Sequence, residues 1–188
     1  FKIRGVPGTH DIRQINKIIN NFMKSKYPIS LPIFDKLKDN RSTKKKIIKQ
    51  KSDILILEGW CCGAISLKKN YLFKNINLIE KNFDKNFIWR QYYNNKLKNE
   101  YALLFKRFEK LIYFKAPSFK HILDWRLKAE KKMAGKMNKT YGMNKYEISE
   151  FIQHYEKITR WMMKTVPTSA NLTISVDKNQ KIKRISIA

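Results

Sequence analysis

Two carboxylates stand where the local pattern would present them to a ligand. Asp11 follows the Gly- and Pro-punctuated loop GVPGTH and precedes Ile12, Ile15, Ile18, Ile19 and Phe22 at helical spacing, which places it at a loop-to-helix turn. Glu58 closes DILILE, whose four consecutive aliphatics lack polar alternation. That run predicts a strand over 53–58, covered on both faces as inside a parallel sheet. In open α/β sheets the C-terminal edge of the strands is where ligands bind, and an acid there is costly to bury unless something positive, often a metal, meets it. A pair of carboxylates so placed suits phosphoryl transfer: one accepts the proton of an attacking hydroxyl, and the other holds Mg²⁺ or its water shell beside the phosphates. Each also has a plainer reading, Asp11 as a helix N-cap and Glu58 as a strand-end acid satisfied by solvent or by a lysine.

The elements that must position them follow from the punctuation. Lys2 to Arg4 reads as a short strand entering the loop at Gly5, Pro7 and Gly8. Pro28 and Pro32 hold YPISLPIF extended, and the polar run from Asp35 to Ser52 reads as a loop with a short helix. From Phe87 to Phe108 aromatic and aliphatic residues recur every three or four positions, predicting a long amphipathic helix whose aromatics are core. Leu111 to Lys115 predicts a strand, and Phe119 to Met133 a helix with a basic face. Asn144 with Glu147 forms a capping-box start for a helix through about Lys164, and Pro167 stops it. LTISV, a polar turn at Asp177 to Gln180, and IKRISI predict a closing strand or hairpin. Alternating strands and helices imply an α/β fold, one domain over 1–188, with a mostly parallel sheet flanked by helices. Right-handed crossovers then open the loops after residues 4 and 58 on one edge, where Asp11 and Glu58 share a cleft.

Composition narrows the function classes. The 188 residues, 43% of them hydrophobic, are enough for a real core. A formal charge of +26 invites a nucleic-acid partner, but the lysines are scattered rather than clustered into a stripe. A basic nucleic-acid-binding protein is kept as the alternative to an enzyme. Cys61 and Cys62 are adjacent, which is neither a C-x-x-C metal or redox spacing nor a disulfide framework, so a reducing cytoplasm is the expected compartment. His121 and His154 read as helix-surface residues. No apolar segment approaches the ~20 residues of a membrane span. The chain begins with Phe, and KIR before GVPG reads like a strand entered midway, as in a fragment of a longer protein.

RGVPGTHD at 4–11, PIFDK at 32–36, DILILEGWCCG at 53–63, and WRLKAEKKM at 125–133 followed by GM at 142–143 resemble the ordered blocks of the D-glycerate 3-kinase group of P-loop kinases. The loop and strand blocks are more loosely similar to those of pantothenate, uridine and phosphoribulose kinases. The resemblance implies a P-loop NTPase kinase fold and an ATP- and Mg²⁺-dependent transfer to a small hydroxy-acid, D-glycerate, or to the acceptor of a related kinase. It implies that Glu58 stands near the nucleotide and its Mg²⁺, through water. Asp11 takes the place of the carboxylate that orients or deprotonates the acceptor hydroxyl. Arg4 and His10 flank the acceptor pocket, Asp35 and Lys36 complete it, and Arg126 lies on a lid-like helix where a guanidinium stabilises the transferring phosphoryl group. Trp60 is a pocket wall or packing.

One departure is as informative as the matches. No G-x-x-x-x-G-K-[ST] occurs in the chain, although that loop cradles the nucleotide phosphates in this class. The resemblance places it upstream of RGVPGTHD. Either the chain is incomplete at its N-terminus or the gene has lost that part and the chain is a remnant, and in both cases the 188 residues are expected to be inactive by themselves.

Overall fold

A computed structural model describes residues 3–35, 40–136 and 144–188. It is mixed α/β and divides into two compact units, Asp11–Trp60 and a larger one made of 1–10 with 61–188.

In the smaller unit, α1 (Ile12–Met23) starts where the Asp11 side chain accepts the backbone N–H of Gln14 at 2.9 Å, and it buries Ile12 and Ile19. β1 (Ile29–Asp35) pairs antiparallel with β2 (Asn40–Ile48). The second strand corrects the expected loop over 35–52: its alternation is masked by lysines, because most of β2 faces solvent and tolerates any polar side chain. Residues 54–59 form no strand, and Ile54 and Ile56 are 76% and 83% exposed. The buried strand expected there is therefore absent from the described residues, and with it the premise that put Asp11 and Glu58 in one cleft.

The larger unit contains α2 (Lys69–Leu72), α3 (Leu78–Phe83), α4 (Ile88–Lys96), a π-helical turn (Leu97–Tyr101) and α5 (Ala102–Phe105), followed by β3 (Ile112–Lys115). Helix α6 (Phe119–Lys136), helix α7 (Lys145–Thr165), β4 (Leu172–Val176) and β5 (Ile182–Ile187) complete it. The long helix expected over 87–108 is thus present, with a π turn in its second half. Asn144 accepts the N–H groups of Tyr146 and Glu147 while the Glu147 side chain accepts the Asn144 N–H, the reciprocal cap expected from the sequence. The predicted strand over 2–4 is not formed by Ile3 and Arg4, which bend into the loop.

β4 pairs parallel with β3 and antiparallel with β5, so among the described residues β3–β4 is the parallel pair and the mostly parallel sheet expected from the sequence is not formed, the run at 53–58 that was to extend it being no strand. The core of the unit is built from Leu97, Tyr101, Leu104, Ile148, Ile158, Met162 and Val166. It also encloses charge. Arg90 is fully buried, donating from Nε to Asp84 at 2.8 Å and from Nη1 to Asn75 Oδ1 at 2.8 Å. Lys157, 2% exposed, lies 3.2 Å from Glu80 and donates to the Tyr71 carbonyl at 2.9 Å. Two cations and two carboxylates with satisfied hydrogen bonds make this burial tolerable. His154 is half-buried with its ring 4.8 Å from that of Trp89, so it packs inward rather than decorating the surface as expected. His121 pairs its Nδ1 with Ser118 Oγ at 2.8 Å.

Candidate active site

The loop from Arg4 to His10 carries its own instructions. Gly5 and Gly8 adopt φ of +89° and +100°, where residues with a side chain are strained. Thr9 closes the turn: its Oγ1 accepts from the Gly5 N–H at 2.9 Å and donates to the Val6 carbonyl at 2.8 Å, which also accepts the Thr9 N–H. Val6 and Pro7 are fully buried and anchor the loop. Its outer wall is aromatic. The Tyr155 hydroxyl donates to the Arg4 carbonyl at 2.8 Å, and the Tyr101 hydroxyl accepts the Gly8 N–H at 2.9 Å. The Tyr92 ring lies so close to Gly8 that a Cβ there would approach it to 2.5 Å.

His10 is held by the same phenol, its Nδ1 2.7 Å from the Tyr101 oxygen. Burial lowers its pKa and favours the neutral ring. Burial also raises the Tyr155 phenol, while Arg126 and Arg4 both pull it back down, which places the two arginines around one side chain. Arg126 is exposed on α6, ion-paired with Glu130 one turn on, with its guanidinium carbon 5.6 Å from the Phe151 ring centre. Of the expected site residues, the larger unit therefore holds Arg4 and His10 on one loop, against Tyr155 and Tyr101 respectively, and the charge of Arg126 reaches Tyr155.

In the smaller unit, Asp11 divides its carboxylate. One oxygen caps α1, and the other is 2.9 Å from Arg41 Nη1. The Gln14 N–H first and then the Arg41 guanidinium hold its pKa below the ordinary carboxylate value. It is thus ionised at neutral pH, well suited to accept a hydrogen bond and orient a hydroxyl, and a weak proton acceptor. Asp35 ends β1, half-buried, opposite Asn40. Lys36 lies outside the described residues, as do Gly142 and Met143. Glu58 is exposed at the end of the extended segment. Trp60 is half-buried.

Sequence reasoning missed Arg41, Tyr101 and Tyr155. Arg41 sat in a run read as loop, and only the β1 register, which sets it opposite Phe34, makes it a strand residue. The tyrosines were legible as helix aromatics, but nothing in the spacing tells a core ring from one whose hydroxyl reaches a loop 93 residues away, as for Tyr101, or 151, as for Tyr155. Two surface depressions of the larger unit, one lined by Phe83, Ile88 and Trp89 and the other by Asn77, Phe119 and Arg160, contain none of the expected site residues.

Among the described residues, no three His, Cys, Asp or Glu side chains converge to hold a metal. Mg²⁺ needs fewer, since it keeps several waters and takes one or two carboxylates together with substrate phosphates. The exposed Glu58 fits that outer role and no tighter one. No helix of the described residues is long and apolar enough to cross a membrane. Cys61 is buried and burial pushes its thiol up to about 12, so it packs rather than reacts.

No protein-family model matches the chain. It is 29% identical over 161 residues to the uncharacterized kinase mug58 of Schizosaccharomyces pombe, covering 81% of this chain and 56% of that protein. It is 26% identical over 203 aligned residues to the probable ATP-dependent kinase TDA10 of Saccharomyces cerevisiae, covering 95% of this chain and 64% of that protein. Its fold is similar to that of D-glycerate 3-kinase from Cryptococcus neoformans var. grubii, with a TM-score of 0.77 and 22% identity over 98% of this chain and 69% of that one. It is also similar to the structure of the YGR205w protein, with a TM-score of 0.73 and 22% identity over 97% and 66% of the two chains. The resemblance to the D-glycerate 3-kinase group is borne out in these comparisons. The chain spans less than two thirds of the length of either curated relative.

Proposed function

We propose that the chain is the acceptor-binding and lid portion of an ATP- and Mg²⁺-dependent kinase of the P-loop type, acting on the hydroxyl of a small hydroxy-acid, D-glycerate. The observation that carries this reading is the fixed GVPGTH loop delivering His10 and then the ionised Asp11 in a chain that shares its fold with a D-glycerate 3-kinase. In this reading the 188 residues work as one part of a mixed α/β kinase in the reducing cytoplasm. The nucleotide site is completed by a G-x-x-x-x-G-K-[ST] loop that these residues do not contain.

Each residue then has a task. Asp11 accepts the hydrogen bond of the acceptor hydroxyl and aligns its lone pair, and the proton leaves to Asp11 or to water as the oxygen–phosphorus bond forms. Arg4, His10, Asp35 and Lys36 hold the acceptor, the cations meeting its carboxylate. Arg126 neutralises charge on the transferring group, its swing from Glu130 costing little because an exposed i,i+4 pair is weak. ATP would give up its γ-phosphoryl group with cleavage of the bond to ADP, which leaves, and Glu58 would hold Mg²⁺ through water, where the ion would supply positive charge against the phosphates.

The chain joined to a P-loop segment should release ADP with D-glycerate and Mg²⁺ in a coupled assay. Turnover with pantothenate or uridine but not glycerate would reassign the acceptor within the related kinases. No turnover, together with DNA or RNA binding that falls steeply with salt, would favour the basic nucleic-acid alternative. Asp11→Asn should lower kcat by about 10² while leaving the melting temperature nearly unchanged, because Asn caps a helix as well as Asp does.

A further inference from the structure

The hydrogen bonds around Tyr101 assign a proton. A phenol has one hydrogen to give and lone pairs to accept with. The Gly8 backbone N–H can only donate, so at 2.9 Å it occupies an acceptor position on the Tyr101 oxygen. The second contact, to His10 Nδ1 at 2.7 Å, then has two possible directions. If Nδ1 carried the hydrogen, the phenol oxygen would receive two donors and its own hydrogen would be left without an acceptor. Tyr101 is only 2% exposed, and a buried donor left unmade costs the full desolvation of the group. Burial also pushes the Tyr101 phenol up to about 12, so the hydrogen is present to be given.

We infer that Tyr101 is a positioning residue that donates to His10 Nδ1 and thereby fixes His10 as the neutral tautomer carrying its proton on Nε2. A histidine so fixed is a hydrogen-bond donor through Nε2. It cannot take a proton from an alcohol at that atom, and an imidazolium would leave the Tyr101 hydrogen without its acceptor. Resting on the proposed acceptor role of this loop, His10 donates to an oxygen of the acceptor, its carboxylate or hydroxyl oxygen, and leaves the hydroxyl proton to go elsewhere, to Asp11 or to water. The π-helical placement of Tyr101 is a second sign of function, because π turns inside helices recur at functional sites.

The tautomer can be read without any activity. In the 188-residue chain labelled with ¹⁵N-histidine, long-range ¹H–¹⁵N correlation at neutral pH should show His10 with a bare Nδ1 and a protonated Nε2. Tyr101→Phe should turn this into an exchanging mixture of tautomers. A protonated Nδ1 in the unsubstituted chain, or an unchanged pattern in Tyr101→Phe, would overturn the assignment. Should Tyr101→Phe fail to fold, the unsubstituted chain still decides through its Nδ1. Added D-glycerate addresses the acceptor reading separately: a shift of the Nε2 signal supports a contact there, and its absence with the tautomer as assigned removes the acceptor role while leaving Tyr101 in place.

Discussion

The loop 4–10 and the segment 53–58 were equally prominent in the sequence, and the structure treats them oppositely. The loop is anchored by two fully buried residues, closed by a threonine and pinned by three tyrosines. The segment is extended and open, its central isoleucine 83% exposed. A loop built of Gly, Pro and Thr satisfies its own backbone over five or six residues. A strand cannot, since every hydrogen bond of its ladder is owed by another part of a chain. Aliphatic content announces that a segment is meant to be covered, and leaves open what covers it.

The contrast can be tested from its strongest side downward. Tyr92, which packs on Gly8, belongs to the helix that Arg90 anchors in the buried charge cluster. Arg90→Ala leaves Asp84 in the core without its cation, while Glu80 keeps Lys157, and should cost about 3–5 kcal/mol, visible as loss of a cooperative thermal transition. If denaturant melts showed less than about 1 kcal/mol, the larger unit would not depend on that cluster. Gly8→Ala combines φ of +100° with a Cβ forced against Tyr92, and should cost about 1–3 kcal/mol by the same melts. A neutral result would mean that the loop is not held as described.

Protonation gives a smaller effect of defined sign. His10 and His154 both have pKa values lowered by burial from the ordinary 6.5. The unfolded chain therefore takes up protons that the folded one resists, so stability should fall as pH drops below 6.5 and be whole above it. Melting temperatures that rise between pH 6.5 and 5 would reverse that sign. Smallest of all, Ile56→Ala in this chain should change stability by less than about 0.5 kcal/mol, because the side chain is already in water. A loss of more than 2 kcal/mol would show that the DILILE run is covered after all.

Legibility followed range along the chain. The Asp11 cap, the capping box at Asn144, the helix from 145, and the closing hairpin were readable because each is decided within a few residues. The β2 strand was hidden by Lys44, Lys45 and Lys46, whose polarity reports solvent rather than conformation. Of the site, the identity of Arg4, His10, Asp11 and Arg126 came from motif blocks, whereas their partners Tyr155, Tyr101 and Arg41 lie outside those blocks, and Glu130, inside one, was not singled out. Three of those four pairings cross thirty or more positions of sequence, where no local pattern reaches. The fourth, Arg126 with Glu130, is an i,i+4 pair that spacing alone would have offered.

The π turn over Leu97–Tyr101 acts as a phase shifter. In an unbroken α-helix, Tyr92 and Tyr101 would be nine residues and about 180° apart, pointing to opposite sides. A π turn absorbs roughly one extra residue, which brings the two to within about 80° of each other. Both then reach one glycine, the ring of Tyr92 against its Cα and the hydroxyl of Tyr101 on its N–H. Winding this turn as regular α-helix without losing a residue would rotate its two halves out of step, so that one tyrosine or the other would lose Gly8, whereas deleting one residue would leave a regular helix with both tyrosines still in phase.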